Sequence, residues 1–154
     1  MRGRTAAFVQ ATGAAQGFSQ TFGGTGRLGK TVYVLLTMDC ETARCDVVPY
    51  GLEMSSSGPA DYEESARSIR GYVEFAGARG YPVTLLAHPE IAIENRELLL
   101  ELKRAGTCLG LHVHPYKLRG RKYRYDLGAY PASSQREILA AAMACWGSAI
   151  GTEP

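Results

Sequence analysis

The feature that most constrains this chain is Thr31-Val-Tyr-Val-Leu-Leu-Thr-Met-Asp39-Cys40-Glu41, an apolar run that ends in two carboxylates flanking a thiol. A run rich in Val, Tyr and Leu reads as a strand buried on both faces, as in a parallel sheet. In open α/β sheets and βα barrels, chemistry collects at the carboxyl ends of the strands. Asp39 and Glu41 stand at such an end. Their alternate spacing turns both side chains to one side of an extended backbone, where a metal or a water can be held.

The rest of the chain repeats this unit. A long loop over 42–59 carries Cys45, Pro49 and Ser55-Ser56-Ser57-Gly58-Pro59. A loop of that length in a compact domain is usually functional or mobile. A helix is expected after Pro59, with Asp61, Glu63 and Glu64 near its positive end. Tyr62, Ala66, Ile69, Val73 and Ala76 form its apolar stripe, and Gly80 and Pro82 stop it. Val83-Thr-Leu-Leu-Ala87 is the second strand, ending at His88-Pro89-Glu90. One helix is expected next, carrying Ile91, Leu98, Leu99 and Leu102 and closed by Gly106. The third strand is Cys108-Leu-Gly-Leu-His112, running into Val113-His114-Pro115-Tyr116. A basic, aromatic loop follows (Lys117, Arg119, Arg121, Lys122, Tyr123, Arg124, Tyr125); it reads as a grip for an acidic partner or, as is more common for such a run, as a solvated face. The last helix is expected to open at a capping box, Ser134-x-x-Glu137. The order β-α-β-α-β-α predicts an α/β fold of parallel strands joined by right-handed crossovers.

The 154 residues suffice for one domain with a core, placed at 31–154. Residues 1–30, rich in Gly, Ala, Ser and Thr, read as a flexible N-terminal tail. With 45% apolar and 21% charged residues the composition is that of a soluble globular chain. A net charge of +2 argues for neither nucleic acid nor a membrane surface as partner. No signal-peptide core follows the N-terminus, so a cytoplasmic location is expected. Cys40, Cys45, Cys108 and Cys145 form no small disulfide framework and are expected as free thiols.

Two competing motifs need weighing. Gly24-Thr-Gly-Arg-Leu-Gly29-Lys30-Thr31 fits the phosphate-cradling pattern letter for letter. That chemistry needs a strand before the loop and a helix after it, and here the loop leads into a strand. The second is a closed structural zinc site on Cys40, Cys45, His112 and His114, a set that suits zinc.

The histidines carry the main expectation. His112 and His114 are separated by one residue, so an extended backbone turns both to one side. Two imidazoles with a nearby carboxylate are a common divalent-metal set, zinc above all. An ion held there lowers the pKa of water bound at an open position. His88 faces the same rim and either assists or caps the second helix.

From Lys30 to about Ile150 the chain resembles the polysaccharide deacetylase superfamily, metal-dependent carbohydrate esterases with a partial βα barrel. Leu-Thr-Met-Asp39-Cys40-Glu41 looks like that family's first motif, a strand ending Thr-Phe-Asp-Asp or, in divergent branches, Asp-x-Asp/Glu. Tyr81-Pro-Val-Thr-Leu-Leu looks like its Pro-Ala-Thr-Phe-Phe strand. Ala105-Gly106-Thr-Cys-Leu-Gly110-Leu-His112-Val-His114-Pro115 looks like its second metal motif. The resemblance implies part of a distorted (β/α) barrel and a hydrolase removing N-acetyl groups from a carbohydrate or other N-acylated substrate. It implies Asp39 as catalytic base and Glu41, His112 and His114 as metal ligands. Glu41 is preferred to Cys40 as metal carboxylate because it shares the face of Asp39. The family's second histidine usually lies where Tyr116 stands, and His114, also before a proline, substitutes for it. The family's later motifs do not appear before Pro154, and a complete barrel takes about 200–250 residues. The expectation is therefore the N-terminal part of a longer enzyme.

Overall fold

The computed structural model describes residues 33–118, 122–151 and 154. The expected tail and the phosphate-loop match at Gly24–Thr31 lie outside the described residues. So do Arg119 and Arg121 of the basic loop.

From Val34 onward the chain forms one unit. Its strands are β1 (Leu36–Cys40), β2 (Asp46–Val47), β3 (Met54–Ser55), β4 (Val83–Ala87) and β5 (Cys108–Leu111). Its helices are α1 (Tyr62–Gly77), α2 (Pro89–Glu94), α3 (Arg96–Arg104) and α4 (Ala132–Ile150). β1, β4 and β5 make a three-stranded parallel sheet in that order, as the repeated βα pattern predicts. The sheet is open; among the described residues no barrel closes. No helix among them is long and apolar enough to cross a membrane.

The two faces of the sheet differ. Cys40, Val83, Leu85 and Ala87 join the buried core with Ile69 of α1, Leu99 of α3 and Trp146 of α4, and Leu36, Met38, Leu109 and Leu111 pack against it. Trp146, 1% exposed, is the largest fully buried side chain. Its replacement by Ala is expected to cost about 3–5 kcal/mol. On the opposite face lie Thr37, Asp39, Thr84, Leu86, Cys108 and Gly110, exposed or half-buried. Gly110 makes room there for Leu86, whose Cδ2 would lie 2.6 Å from an added Cβ and would have to swing away.

Several boundaries differ from expectation, each for a physical reason. β1 begins at Leu36 rather than near Thr31, and Tyr33, Val34 and Leu35 are 87%, 77% and 72% exposed. Leu36 pairs with Val83, and the residue before Val83 is Pro82, which has no N–H to extend the ladder. The loop over 42–59 contains a small antiparallel hairpin, β2 with β3, anchored by buried Val47 and Pro49. The helix after β4 is two helices, because Asn95 (φ −106°, ψ 29°) breaks the turn between them. α4 starts at Ala132, ahead of the expected capping box, with Pro131 at its N-cap and no side-chain cap. Gln135 instead ties the start down, its N–H to Pro131 O (3.0 Å) and its Nε2 to Tyr130 O (2.7 Å). Gly106 (φ 100°) and Gly151 (φ 76°) end α3 and α4 in left-handed conformations, as their positions predict.

Candidate metal centre

The parallel ladder sets the site. The His88 N–H donates to Cys40 O and the His112 N–H to Ala87 O, both at 3.0 Å. The pairing thus continues one residue past each strand and holds the first residues beyond the three strands in step. β1 and β5 flank β4, so their backbones stand about 10 Å apart at ~4.8 Å per strand. Side chains as long as Glu and His span that gap over the end of β4.

They meet. Glu41 Oε1 lies 3.0 Å from His114 Nε2 and 3.3 Å from His112 Nε2, and the two Nε2 atoms are 2.9 Å apart. Bonds of ~2.0 Å to a tetrahedral ion place its ligand atoms ~3.3 Å from one another. The triangle therefore has the dimensions of three ligands around one ion. The distances are also those of hydrogen bonds. An imidazole Nε2 carries one proton or one lone pair, and a carboxylate oxygen only accepts. One protonated Nε2 can bridge the Glu41 oxygen and the other ring nitrogen, so the cluster is also satisfiable by hydrogen bonds alone. The same three atoms lie close enough together to hold one metal ion. His114 Nδ1 lies 3.3 Å from Tyr116 Oη, and a ring that donates there keeps its Nε2 unprotonated.

Glu41 is held from behind. Lys117 Nζ donates to Glu41 Oε2 at 2.6 Å, to Ser57 O at 3.2 Å and to Ser57 Oγ at 3.4 Å, with its side chain 2% exposed. Burial works to raise the Glu41 pKa, but the contacts with His112, His114 and Lys117 prevail and hold the carboxyl well below its usual range. The Glu41 contact raises the His112 pKa against burial, with help from the charge of Asp39. Lys117 was expected on a solvated face. Its role is set by tertiary burial, and the only local hint is its place three residues after His114.

The other expected residues fall as follows. Asp39 is exposed, outside the triangle, and makes no side-chain hydrogen bond among the described residues; its charge reaches His112 and Cys40. Cys40 is 1% exposed, with Sγ turned to Met38 O at 3.6 Å. Burial, then Asp39 and Glu41, push its thiol up to about 12, so it is not a ready thiolate. Cys45 Sγ contacts Ser56 Oγ at 3.6 Å. Among the described residues the group that could hold a metal is Glu41, His112 and His114; neither Cys40 nor Cys45 belongs to it, which removes the geometric basis of the four-ligand site. His88 is fully buried and caps α2, its Nδ1 accepting the Glu90 N–H at 3.5 Å. Its Nε2 has no hydrogen-bond partner, although the ring faces the His114 main chain. Desolvation lowers its pKa to about 4.

No family model, curated protein or solved structure matches the chain.

Proposed function

We propose that this chain carries the metal centre of a hydrolase of polysaccharide-deacetylase type, which removes N-acetyl groups from a carbohydrate by amide hydrolysis. The observation that supports it is the convergence of Glu41 Oε1 and two Nε2 atoms within 3.3 Å at the ends of parallel strands. The donor set, two imidazoles and a carboxylate with no thiolate, suits a catalytic zinc better than a closed structural one. A bound divalent ion supplies Lewis acidity and lowers the pKa of water.

The protein groups divide the remaining work. Asp39, two residues before Glu41 and free of hydrogen-bond partners among the described residues, takes the proton of the attacking water as general base. Lys117 holds Glu41 by Oε2, which would leave Oε1 to hold the ion together with His112 and His114. The uncovered sheet face, with Thr37, Asp39 and Thr84, becomes the interior of a larger βα barrel in this reading.

The test is elemental analysis after loading with zinc and dialysis. The wild-type chain should retain about one zinc, as one three-ligand site requires, and His112→Ala should retain none. A wild-type chain that retains no divalent ion overturns the reading.

A further inference from the structure

Beyond the metal triangle, the strongest unassigned feature is a group of tyrosines that runs outward from it. Tyr50 has φ 54° and is the only non-glycine residue with positive φ among those described. That conformation is unfavourable for a side chain as bulky as tyrosine. Core packing does not compensate it, because Tyr50 is 55% exposed. Instead the chain holds the residue open to water by two bonds. Its N–H donates to Arg124 O at 2.7 Å, and its hydroxyl donates to Asp126 Oδ2 at 2.8 Å.

The neighbouring rings are fixed too. Tyr125, 43% exposed, meets Tyr50 edge to face at 5.2 Å. Tyr130 lies 5.7 Å from Tyr125, and its hydroxyl accepts the N–H groups of Arg124 and Tyr125 at 2.8 and 3.0 Å. On the inner side, Tyr116 packs 5.4 Å from the His114 ring and lies within electrostatic reach of both Asp126 and Glu41. A strained, exposed aromatic residue, tied to Asp126 and through Tyr116 to the Glu41 cluster, is a feature that serves a ligand rather than the core.

We infer that Tyr50 and Tyr125, with Asp126 between their loops, form a subsite for a pyranose ring of the oligosaccharide whose acetyl group reaches the metal centre. This rests on the proposed hydrolase reading. The ligand chemistry follows from the surface. Exposed tyrosine faces suit a ring with flat C–H faces, and a carboxylate beside them suits hydroxyl donors on the ring edge. Single-stranded nucleic acid also stacks on aromatic rings, but Asp126 would repel its phosphates and a net charge of +2 offers little attraction.

The test is calorimetric titration of the full chain with chitotetraose, metal-free and zinc-loaded, beside an oligouridylate of similar length. Wild-type protein should bind chitotetraose and not the oligouridylate. Tyr50→Gly should weaken binding about tenfold, the scale of losing one stacked ring. Glycine accepts the φ of position 50 without strain, which offsets the lost Asp126 bond and Tyr125 contact, so this variant should stay folded and hold the same zinc. Tyr125→Ala should weaken sugar binding similarly. Equal affinity in Tyr50→Gly overturns the inference, as does tyrosine-dependent binding of oligouridylate in place of sugar. Stoichiometric zinc without sugar binding removes the subsite and leaves the metal reading standing. Tyr50-dependent sugar binding without zinc does the reverse.

Discussion

Glu41 and Thr42 are neighbours in the chain, yet they belong to two polar clusters of opposite character. Thr42, 1% exposed, donates its hydroxyl to Glu90 Oε2 at 3.1 Å. Tyr62 donates to the same oxygen at 3.3 Å, and the two hydroxyls are 3.3 Å apart. Two donors meet one acceptor there, and the bonds close among themselves. They tie the exit of β1 to the first turns of α1 and α2. In the Glu41 cluster one carboxylate oxygen and two ring nitrogens face one another, and the nearest ammonium, on Lys117, is spent on the far carboxylate oxygen. A crowd of polar side chains is therefore not itself the mark of a site. The balance of donors and acceptors separates a self-satisfied knot from a set of atoms with the spacing of metal ligands.

Glu41→Gln should break the comparison most severely. It removes the charged ligand and leaves the buried Lys117 ammonium without a counter-ion. Zinc affinity should fall more than ~100-fold, beyond the ~10–100-fold usual for a supporting residue. The metal-free fold should lose about 3 kcal/mol, the scale of breaking a buried pair by removing one partner. Titration with a zinc indicator and urea unfolding measure the two losses. Zinc binding as tight as in wild type would mean that the triangle is only a hydrogen-bonded cluster like that of Thr42.

Acid titration comes next. His88 touches both clusters, through the Glu90 N–H and the His114 main chain. Its folded pKa of about 4 lies below the ordinary 6.5, so folding favours the neutral ring. The unfolded chain takes up the proton first as pH falls below 6.5, and stability drops from there down to about 4. The loss should reach about 2–3 kcal/mol at ~1.4 kcal/mol per pH unit. His112 acts with the opposite sign, since its raised pKa favours the folded state below that value and ceases to as pH rises through it. Glu41 loses stability only once pH falls below the ordinary carboxylate range. The difference between metal-free wild type and His88→Gln isolates the one residue: the variant should show a shallower fall between pH 6.5 and 4. Equal slopes would mean that His88 is wetter than its burial implies.

Lys117→Met should have a smaller effect and sharpens the contrast from the other side. It leaves the three ligand atoms in place but frees Glu41 Oε2 and the Ser57 anchor. Loss of this support should weaken zinc about tenfold. Tighter zinc binding would instead mark the ammonium as a competitor for the ion.

Much of this was legible in the chain. The strand ends at Asp39–Glu41 and His112–His114 announced themselves because carboxylates and imidazoles interrupt apolar runs at alternate spacing. The parallel order followed from helices lying between those runs. Lys117 stayed hidden because a lysine reads as solvated until its partners are known, and Glu41 lies 76 residues away. The β2–β3 hairpin, two residues per strand, is too short to carry a period. Tyr50 gave no signal either, since a left-handed tyrosine is invisible until the backbone is seen.

The smallest expected effect closes the comparison. Thr42→Val keeps the shape of a residue adjacent to Glu41 and deletes only its hydroxyl. Glu90 keeps the Tyr62 bond, so its carboxylate is not orphaned, and the cost should be about 1 kcal/mol. Zinc affinity should stay within about twofold of wild type, because a self-satisfied cluster has nothing to offer the ion next to it. Thermal melting reads the first and indicator titration the second. If Thr42→Val weakened zinc as much as Lys117→Met does, the two clusters would be one network through the β1 backbone. The donor–acceptor balance that sets them apart would then describe their bonds but not their function.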